Sequence, residues 1–386
     1  MGTTYDVIVL GLGAMGSTTA YQLAARGQRV LGLEQFLPAH DQGSSHGQSR
    51  IIRLAYLEDP GYVPLLLRAY ELWESAERES GDKLLTLTGG LMLGLANSRV
   101  FSGSVRSANQ YNLEFEILDS TEINRRFPQF TPGTNIKALY EPRGGVVYPE
   151  ASINAHLKLA AAHGAELHYE ETVLEWEATP AGGVRVTTDR GSYEAERLVV
   201  TAGVWAGRLL ADLKLPLHAQ RNVLYWFEPT GDPAPFHPDR CPIYIWEGEE
   251  RMSFYGFPML PGTPYGVKVA FHNFGPECTP ETIDRQVHDE EVARIRGWMA
   301  ERVPAVAQGK LLATSTCMYT LTPDQHFLMD LHPHYPQVVI GSPCSGHGFK
   351  FASVVGEILA DLSINGATRH PIDMFRVARF TGESGQ

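Results

Sequence analysis

A glycine cluster near the start of the chain, Gly11-Leu12-Gly13-Ala14-Met15-Gly16, is the first pattern that could do chemistry. In a dinucleotide-binding turn the first glycine permits the tight turn, the second lets the backbone approach a pyrophosphate, and the third lets helix and strand pack closely. Free N–H groups at the start of the following helix would bind phosphate. Glu34, at the end of the next apolar segment, is placed to accept hydrogen bonds from a ribose and would repel a 2′-phosphate. The pattern predicts a site for FAD or NAD, without choosing between them.

Two arginines and a lysine are candidates for holding a carboxylate. Arg50 and Arg53 would share a face if their segment were helical, and the planar fork of an arginine suits a carboxylate. Lys350 lies one turn into the helix predicted after Ser345-Gly346-His347-Gly348, where it could reach the same anion. The alternative is that all three are solvated or ion-paired surface cations. Glu58 follows the arginines and could act with them or form a simple salt bridge.

A strand-like segment, YGVKVAFH, carries Lys268 and His272. Alternate residues of a strand point to the same face, so both side chains would point one way together with Ala270. A lysine that shares a face with a histidine in a covered sheet indicates a function, although a solvent-facing lysine and a packed histidine are the alternative. Tyr255 and Tyr319 are predicted to wall a pocket with apolar faces and polar tips, unless their role is packing alone.

The elements that must position these residues begin with a buried-strand pattern over residues 5–10, a helix after the glycine cluster and a second strand over 29–33. Further patterns predict helices over 62–80, 155–163, 277–303 and 349–362, and strands over 166–169, 184–188, 198–201 and 338–341. Aromatic-rich strand patterns separated by turns, at 222–227, 242–247, 252–257 and 266–272, indicate an antiparallel sheet.

The order of these patterns predicts an α/β fold in two domains. A discontinuous, Rossmann-like nucleotide-binding domain would comprise residues 1–85, 145–212 and 310–386. An inserted antiparallel-sheet substrate domain would comprise residues 86–144 and 213–309. The length of 386 residues suits two domains, and the 43% hydrophobic composition suits a sizeable core.

Composition also bears on partners and location. With 32 Lys plus Arg against 44 Asp plus Glu, the net charge of −12 argues against a general binder of nucleic acid or anionic membrane. Four cysteines in this length do not make a disulfide framework. We expect a soluble, cytosolic protein, because the sequence shows neither a membrane-spanning apolar run nor a basic leader. The pair His332 and His334 is interpreted as loop residues, so that no metal site is predicted.

Four motifs together carry a resemblance to a known family: His46-Gly47-Gln48-Ser49-Arg50-Ile51-Ile52-Arg53, Tyr255-Gly256-Phe257-Pro258, Cys317-Met318-Tyr319-Thr320 and Ser345-Gly346-His347-Gly348-Phe349-Lys350. With them the chain resembles, nearly end to end, the monomeric sarcosine oxidase and N-methyltryptophan oxidase family of flavin-dependent amine oxidases. The resemblance implies FAD, attached through a thioether to Cys317. It also implies oxidation of an N-methyl amino acid to an imine while oxygen is reduced to hydrogen peroxide. For sarcosine, hydrolysis of the imine would release glycine and formaldehyde.

The resemblance also implies roles for single residues. Arg53 and Lys350 would clamp the substrate carboxylate, with Lys350 also touching the cofactor, and Arg50 would lie against the flavin ring. Lys268 would hold a water near flavin N5 and help oxygen accept its first electron, a case of electrostatic preorganisation. His272 would lie near the substrate amine, beside the pocket residues Tyr255 and Tyr319, of which Tyr319 is also a catalytic candidate. The other predicted cofactor contacts are Gly11, Gly13, Met15, Gly16, Glu34, Ser49, Val173, Gly346 and Gly348. Cys241, Cys278 and Cys344 are interpreted as ordinary thiols.

Departures from the family pattern leave the substrate open. Ser45 precedes His46 where a second histidine is frequent, Gln48-Ser49 replaces an Asp-Thr pair, and Cys344 stands where a bulky apolar residue is common. The alternatives are therefore an oxidase of N-methyltryptophan, proline, pipecolate or another N-alkyl amino acid, a flavin dehydrogenase that passes electrons to a protein, and an NAD-binding module. Family habit suggests a monomer whose only partners are the small amine and oxygen.

Overall fold

The computed structural model describes residues 4–248, 252–262, 264–342 and 345–381, so that Cys344 lies outside the described residues. Its helices are α1 (Ala14–Ala24), α2 (Val63–Ser80), α3 (Arg99–Gln110), α4 (Ser120–Arg126), α5 (Pro149–Ala162), α6 (Ala206–Leu209), α7 (Asp289–Ala300), α8 (Pro304–Ala307), α9 (Ala352–Asn365) and α10 (Ala378–Thr381). Its strands are β1 (Thr4–Leu10), β2 (Val30–Leu33), β3 (Arg50–Ile52), β4 (Leu85–Leu87), β5 (Gly90–Leu95), β6 (Glu116–Asp119), β7 (Ile136–Glu141), β8 (Gly145–Val147), β9 (Glu166–His168), β10 (Val173–Ala178), β11 (Val184–Thr188), β12 (Ser192–Val200), β13 (His218–Glu228), β14 (Ile243–Glu247), β15 (Ser253–Met259), β16 (Val267–His272), β17 (Glu277–Cys278), β18 (Lys310–Leu321), β19 (Leu328–Leu331) and β20 (Val338–Ser342).

The first sheet has a parallel centre in the order β9-β2-β1-β12-β20. The hairpin β10-β11 continues it from β12, and β19 pairs antiparallel with β20. Helices cover it, and β1 is consequently buried through Val7, Ile8, Val9 and Leu10, which explains its unbroken apolar run. The carboxyl ends of β1, β2 and β12 meet at one edge, the place where open α/β sheets bind ligands.

The second sheet has the order β17-β13-β16-β15-β14-β5-β7-β6, with β18 on the other side of β13. It is antiparallel except where β14 runs parallel to β5. One face carries Trp226, Ala270, Cys317 and Tyr319, which pack together. The opposite face, including Phe271, packs in a separate core with Ile295 and Met299 of α7. A small antiparallel sheet, β3-β8-β4, completes the framework.

The mixed α/β architecture with a parallel sheet and a separate, mostly antiparallel sheet confirms the predicted fold class. The condition for Arg50 and Arg53 to share a helix face is not met, since Arg50–Ile52 is the strand β3, which pairs with β8. One local prediction was wrong. Residues 277–303 are not one helix: β17 begins the segment, and the helix α7 starts only at Asp289, where His288 and Glu291 form a capping box.

The residue ranges of the two domains remain a proposal. Sheet membership differs from the proposed division in one element, because β18 pairs along its length with β13 of the second sheet although it lies inside 310–386. A division by sheets would therefore move β18 into the substrate domain. Among the described residues, no helix is long and apolar enough to cross a membrane.

Candidate active site

A cavity of about 990 Å³ is lined by the carboxyl edge of the first sheet and by one face of the second. Most of the predicted site residues line it: Gly11, Gly13, Met15, Glu34, Arg50, Arg53, Val173, Tyr255, His272, Tyr319, Gly346, Gly348 and Lys350. The other predicted residues, Gly16, Ser49, Lys268 and Cys317, belong to the described chain but lie behind this wall. The fold thus brings together residues from the whole length of the chain.

The glycine cluster forms a cradle that side chains would fill. A Cβ on Gly16 would lie 1.7 Å from the carbonyl oxygen of Gly11, and a Cβ on Gly11 would lie 2.8 Å from that of Thr201. Gly13 begins α1 without a side-chain cap, and the first turn of this fully described helix contains no acidic residue. Its free N–H groups and positive helix dipole therefore face the cavity, which fits the pyrophosphate of FAD.

Glu34 lies at the end of β2, where the cavity would receive a ribose. Its carboxylate is buried and accepts hydrogen bonds from the backbone N–H groups of Leu12, at 2.8 Å, and Phe36, at 3.1 Å. Burial raises the pKa of Glu34, while these hydrogen bonds oppose the rise. Because the carboxylate still lines the cavity, it can accept hydroxyl donors as the sequence predicts.

A loop before β3 is fixed by a distant carboxylate. Glu150 accepts hydrogen bonds from the backbone N–H groups of Gly47, at 2.6 Å, and Gln48, at 3.1 Å. Arg50 donates to the carbonyl oxygens of Ser49 and Ser44, and its side chain lines the cavity. This network holds the guanidinium in place before any ligand binds.

Lys268 is buried rather than solvent-facing, so that the surface alternative is wrong. Its Nζ lies 2.7 Å from the carbonyl oxygen of Gly47 and 2.9 and 3.1 Å from the carbonyl and hydroxyl oxygens of Ser49. Burial, followed by the positive charge of Arg50, lowers the pKa of Lys268 well below its usual value. Ser49 therefore anchors Lys268 from behind the cavity wall.

Arg53 and Lys350 are buried beside each other. The Arg53 guanidinium carbon lies 4.3 Å and the Lys350 Nζ lies 5.3 Å from the centre of the same ring, that of Tyr56. Arg53 donates to Glu58 at 2.8 Å and to the carbonyl oxygen of Ala55 at 2.7 Å, whereas its Nε has no hydrogen-bond partner among the described residues. A planar donor group with a spare N–H can accept a carboxylate.

The charges of this cluster follow from burial and pairing. Burial lowers the pKa of Lys350 to about 7, and the neighbouring Arg53 adds to this effect. Burial, the largest single influence, would raise the pKa of Glu58, but Arg53, His347 and Lys350 together outweigh it, and the pKa is lowered. Near neutral pH the cluster thus holds the opposite charges of Arg53 and Glu58, which cancel, and Lys350, which titrates in this range.

Aromatic and imidazole groups from the second sheet form the wall opposite. The hydroxyl oxygens of Tyr255 and Tyr319 lie 3.5 Å apart, and the His272 ring centre lies 5.8 Å from that of Tyr319. Burial lowers the pKa of His272 to about 4, so the imidazole is neutral near pH 7. Burial raises the pKa of both tyrosines, which keeps their hydroxyl groups protonated.

Cys317 lies on β18 directly before two cavity-lining residues, Met318 and Tyr319. It is buried, and burial raises the pKa of its thiol, while the charges of Arg50 and Lys268 oppose the rise. In the described part of the chain, Cys241, Cys278 and Cys317 are free thiols. The position of Cys317 beside Arg50 and Lys268 is compatible with a cofactor attachment, which remains a proposal.

Sequence patterns did not reveal the supports of the site. His347 is held between the hydroxyl of Tyr56, at 2.5 Å, and the carbonyl oxygen of Gln325, at 2.9 Å. Glu141 accepts hydrogen bonds from the backbone of Leu54, 87 positions away in the chain. No local spacing could signal such contacts, although His347 stands in the motif Ser345-Gly346-His347-Gly348.

Family comparison defines the class of protein. The family model described as FAD dependent oxidoreductase matches residues 6–362. The chain belongs to this family, and FAD is its cofactor, which decides between the two dinucleotides that the glycine cluster and Glu34 left open. The alternative of an NAD-binding module is therefore wrong.

Comparison with individual proteins identifies a narrower family within the FAD-dependent oxidoreductases. A monomeric sarcosine oxidase of Streptomyces avermitilis is 52% identical over 376 residues, which covers 97% of both chains. An N-methyl-L-tryptophan oxidase of Yersinia pestis is 34% identical over 378 residues, 97% of this chain and 99% of the relative. The structure of NikD, an unusual amino acid oxidase in its open form, is similar with a TM-score of 0.82 at 28% identity over 97% of each chain. This chain belongs to the monomeric sarcosine oxidase family, which confirms the resemblance.

Proposed function

We propose that this oxidoreductase oxidises the secondary amine of an N-methyl amino acid, with sarcosine as its substrate. Sarcosine, oxygen and water would yield glycine, formaldehyde and hydrogen peroxide. The observation that carries the proposal is the buried pair of Arg53 and Lys350 over the ring of Tyr56, because it offers a carboxylate one spare N–H and a titrating ammonium. The similarity to sarcosine oxidases supports the same substrate.

Gly11, Gly13 and Glu34 would hold FAD, which would supply a hydride acceptor for the carbon next to the amine and a route for two electrons to oxygen. The protein holds the substrate carboxylate at Arg53 and Lys350, which orients the amine toward the aromatic wall. His272, neutral through burial, can face a neutral amine without repelling it. The substrate amine must itself be neutral, since an ammonium has no lone pair to stabilise the developing cation.

Lys268 is the proposed group for the oxygen half of the reaction. Its Nζ is fixed by Gly47 and Ser49 just behind the cavity wall. A lysine whose pKa is lowered by burial takes up a proton when negative charge builds nearby, and a fixed positive charge then favours electron transfer to oxygen. This role distinguishes an oxidase from a dehydrogenase that uses a protein acceptor.

Cys317 is the proposed point of covalent FAD attachment. A visible spectrum before and after acid precipitation tests the linkage, because covalent flavin stays with the pellet. Cys317→Ser should release yellow colour into the supernatant, whereas Cys241→Ser, which changes a buried thiol in another core, should not. Colour in the wild-type supernatant would remove the linkage and leave the FAD fold intact.

Anaerobic addition of sarcosine tests the reaction itself. Bleaching of the bound flavin is the expected result, with a limiting rate at saturating sarcosine that rises toward alkaline pH as the amine loses its proton. Bleaching only by a larger or cyclic amino acid, such as N-methyltryptophan, proline or pipecolate, would keep the clamp and change the substrate. A rate independent of pH from mildly acid to alkaline conditions would refute the requirement for a neutral amine. A cytosolic location and a monomeric state remain proposals beside this function.

A further inference from the structure

The open end of the cavity carries arginines that the proposed reaction does not use. Arg99, Ser102 and Arg106 lie on one face of α3, at helical spacing, and all three line the cavity together with Asn97. These residues are exposed, in contrast to the buried Arg53 and Lys350. The helix therefore places two cations at the mouth of the cavity.

Neither mouth arginine has a partner among the described residues, since no hydrogen bond or ion pair joins Arg99 or Arg106 to them. Two other exposed arginines are paired, since Arg125 contacts Glu122 at 2.6 Å and Arg185 contacts Glu194 at 2.7 Å. The exposed Arg78 has no hydrogen bond or ion pair to the described residues either, but it does not line the cavity. A local excess of positive charge at the mouth of a protein with a net charge of −12 requires a reason.

The carboxylates of the cavity wall near the mouth have other partners. Glu58 pairs with Arg53 at 2.8 Å. Glu247 accepts the backbone N–H of Val100 at 2.7 Å, at the first turn of α3. Neither carboxylate is hydrogen-bonded to Arg99 or Arg106, so the charges of the two arginines are available to a ligand.

The position of Arg99 relates the mouth to the substrate end of the cavity. Its positive charge is among the causes that lower the pKa of His272, and it also acts on Tyr56. Both residues belong to the clamp or the wall around the proposed substrate. The helix that carries both arginines also contacts the clamp directly, because the Ser107 hydroxyl donates to the carbonyl oxygen of Tyr56. We therefore place the mouth at the substrate end of the cavity.

We infer that Arg99 and Arg106 recognise a second carboxylate, so that among N-methyl amino acids larger than sarcosine the enzyme favours those with an acidic side chain. The first carboxylate would occupy Arg53 and Lys350, and the side-chain carboxylate would extend toward the mouth. This inference rests on the proposed function, because it assigns a substrate class to the same site. The two arginines are specificity-determining residues and take no part in the bond-breaking step.

The test compares N-methyl-L-aspartate with its amide, N-methyl-L-asparagine, which is similar in shape and lacks the charge. We expect the limiting rate of anaerobic flavin reduction divided by Kd to favour the acid by about three- to tenfold at low salt. Two exposed ion pairs support an effect of this size. High salt should reduce this ratio, since exposed charges are screened. The double variant Arg99→Gln and Arg106→Gln should bring the ratio close to one.

The matched control is Arg78→Gln, which removes the same charge from an exposed position at the end of α2, away from the cavity. It should leave the ratio at the wild-type value. A wild-type ratio near one, a ratio that survives the double substitution, or reduction by sarcosine but by neither larger substrate would overturn the inference. Failure of the proposed function has a different signature, because then sarcosine itself would not reduce the flavin of the wild-type enzyme.

Discussion

Lys350 should make carboxylate binding depend on pH in the neutral range. Its side chain is buried at 5% exposure, its Nζ donates to the carbonyl oxygen of His347 at 2.7 Å, and burial together with Arg53 lowers its pKa to about 7. A bound carboxylate interacts more favourably with the charged lysine than with the neutral amine. Binding therefore requires a protonated Lys350, which is the majority form only below about pH 7.

The magnitude follows from the population of the charged form. One pH unit above the pKa, about a tenth of the molecules carry charged Lys350, and recruiting that form costs about 1.4 kcal/mol. The apparent Kd should thus be constant below about pH 7 and rise up to tenfold per pH unit above it. The other clamp groups do not titrate there: burial lowers the pKa of His272 to about 4 and that of His347 to about 3, and the pKa of Glu58 is also lowered.

Methoxyacetate suits the assay, because an ether oxygen replaces the titrating amine of sarcosine. Its Kd can be measured by titrating the flavin absorbance of the holoenzyme between about pH 6 and 9. Lys350→Met should bind more weakly at pH 6 and show no rise in Kd with pH. Lys268→Met is the control, since Lys268 is also a buried lysine of lowered pKa but lies behind the wall. A flat wild-type profile, or a rise that persists in Lys350→Met, would refute the assignment.

Three further results are expected. Lys268→Met should slow flavin reoxidation by about 10²-fold while reduction by sarcosine changes far less, and equal slowing of both would refute its role. Gly16→Ala should lower the melting temperature and the flavin content, because its Cβ would lie 1.7 Å from the Gly11 oxygen, whereas Gly207→Ala, with nothing within 4 Å, should be tolerated. Stability should fall below about pH 6.5, the unfolded histidine value, because buried histidines must take up protons on unfolding, at up to about 1.4 kcal/mol each per pH unit. The folded pKa values are about 3 for His46 and His347 and about 4 for His156 and His272. A melting temperature that is constant down to about pH 5 would contradict this.

The sequence was sufficient to predict those features that depend on residues close together in the chain. The glycine cluster and Glu34 predicted the cofactor edge because the strand, turn and helix that they require are contiguous in the chain. Lys268 and His272 were placed on one strand by the same kind of local argument. The α/β class followed from the change between buried and alternating strand patterns.

Long-range contacts explain what the sequence could not provide. The conformation around Arg50 and Arg53 was left open by the sequence, and it is a strand because β8, distant in the chain, pairs with residues 50–52. Glu150 holds the Gly47 backbone across 103 positions of chain. The helix expected from residue 277 begins only at Asp289, because residues 277–278 pair with the distant strand β13, whereas the cap of His288 and Glu291 at its start is local.

The charge balance of the site supports the proposal that it binds a carboxylate. Buried charges are costly unless they are paired; Glu58 pairs with Arg53 and also acts on Lys350, and Glu141 acts on Arg53 from a greater distance. The protein meets this cost in part by lowering the pKa of Lys350, so that the lysine loses its proton when nothing else neutralises it. A substrate carboxylate bound at Arg53 and Lys350, as proposed, would supply further negative charge and stabilise the protonated lysine. Binding of the substrate and protonation of Lys350 would then be one coupled event.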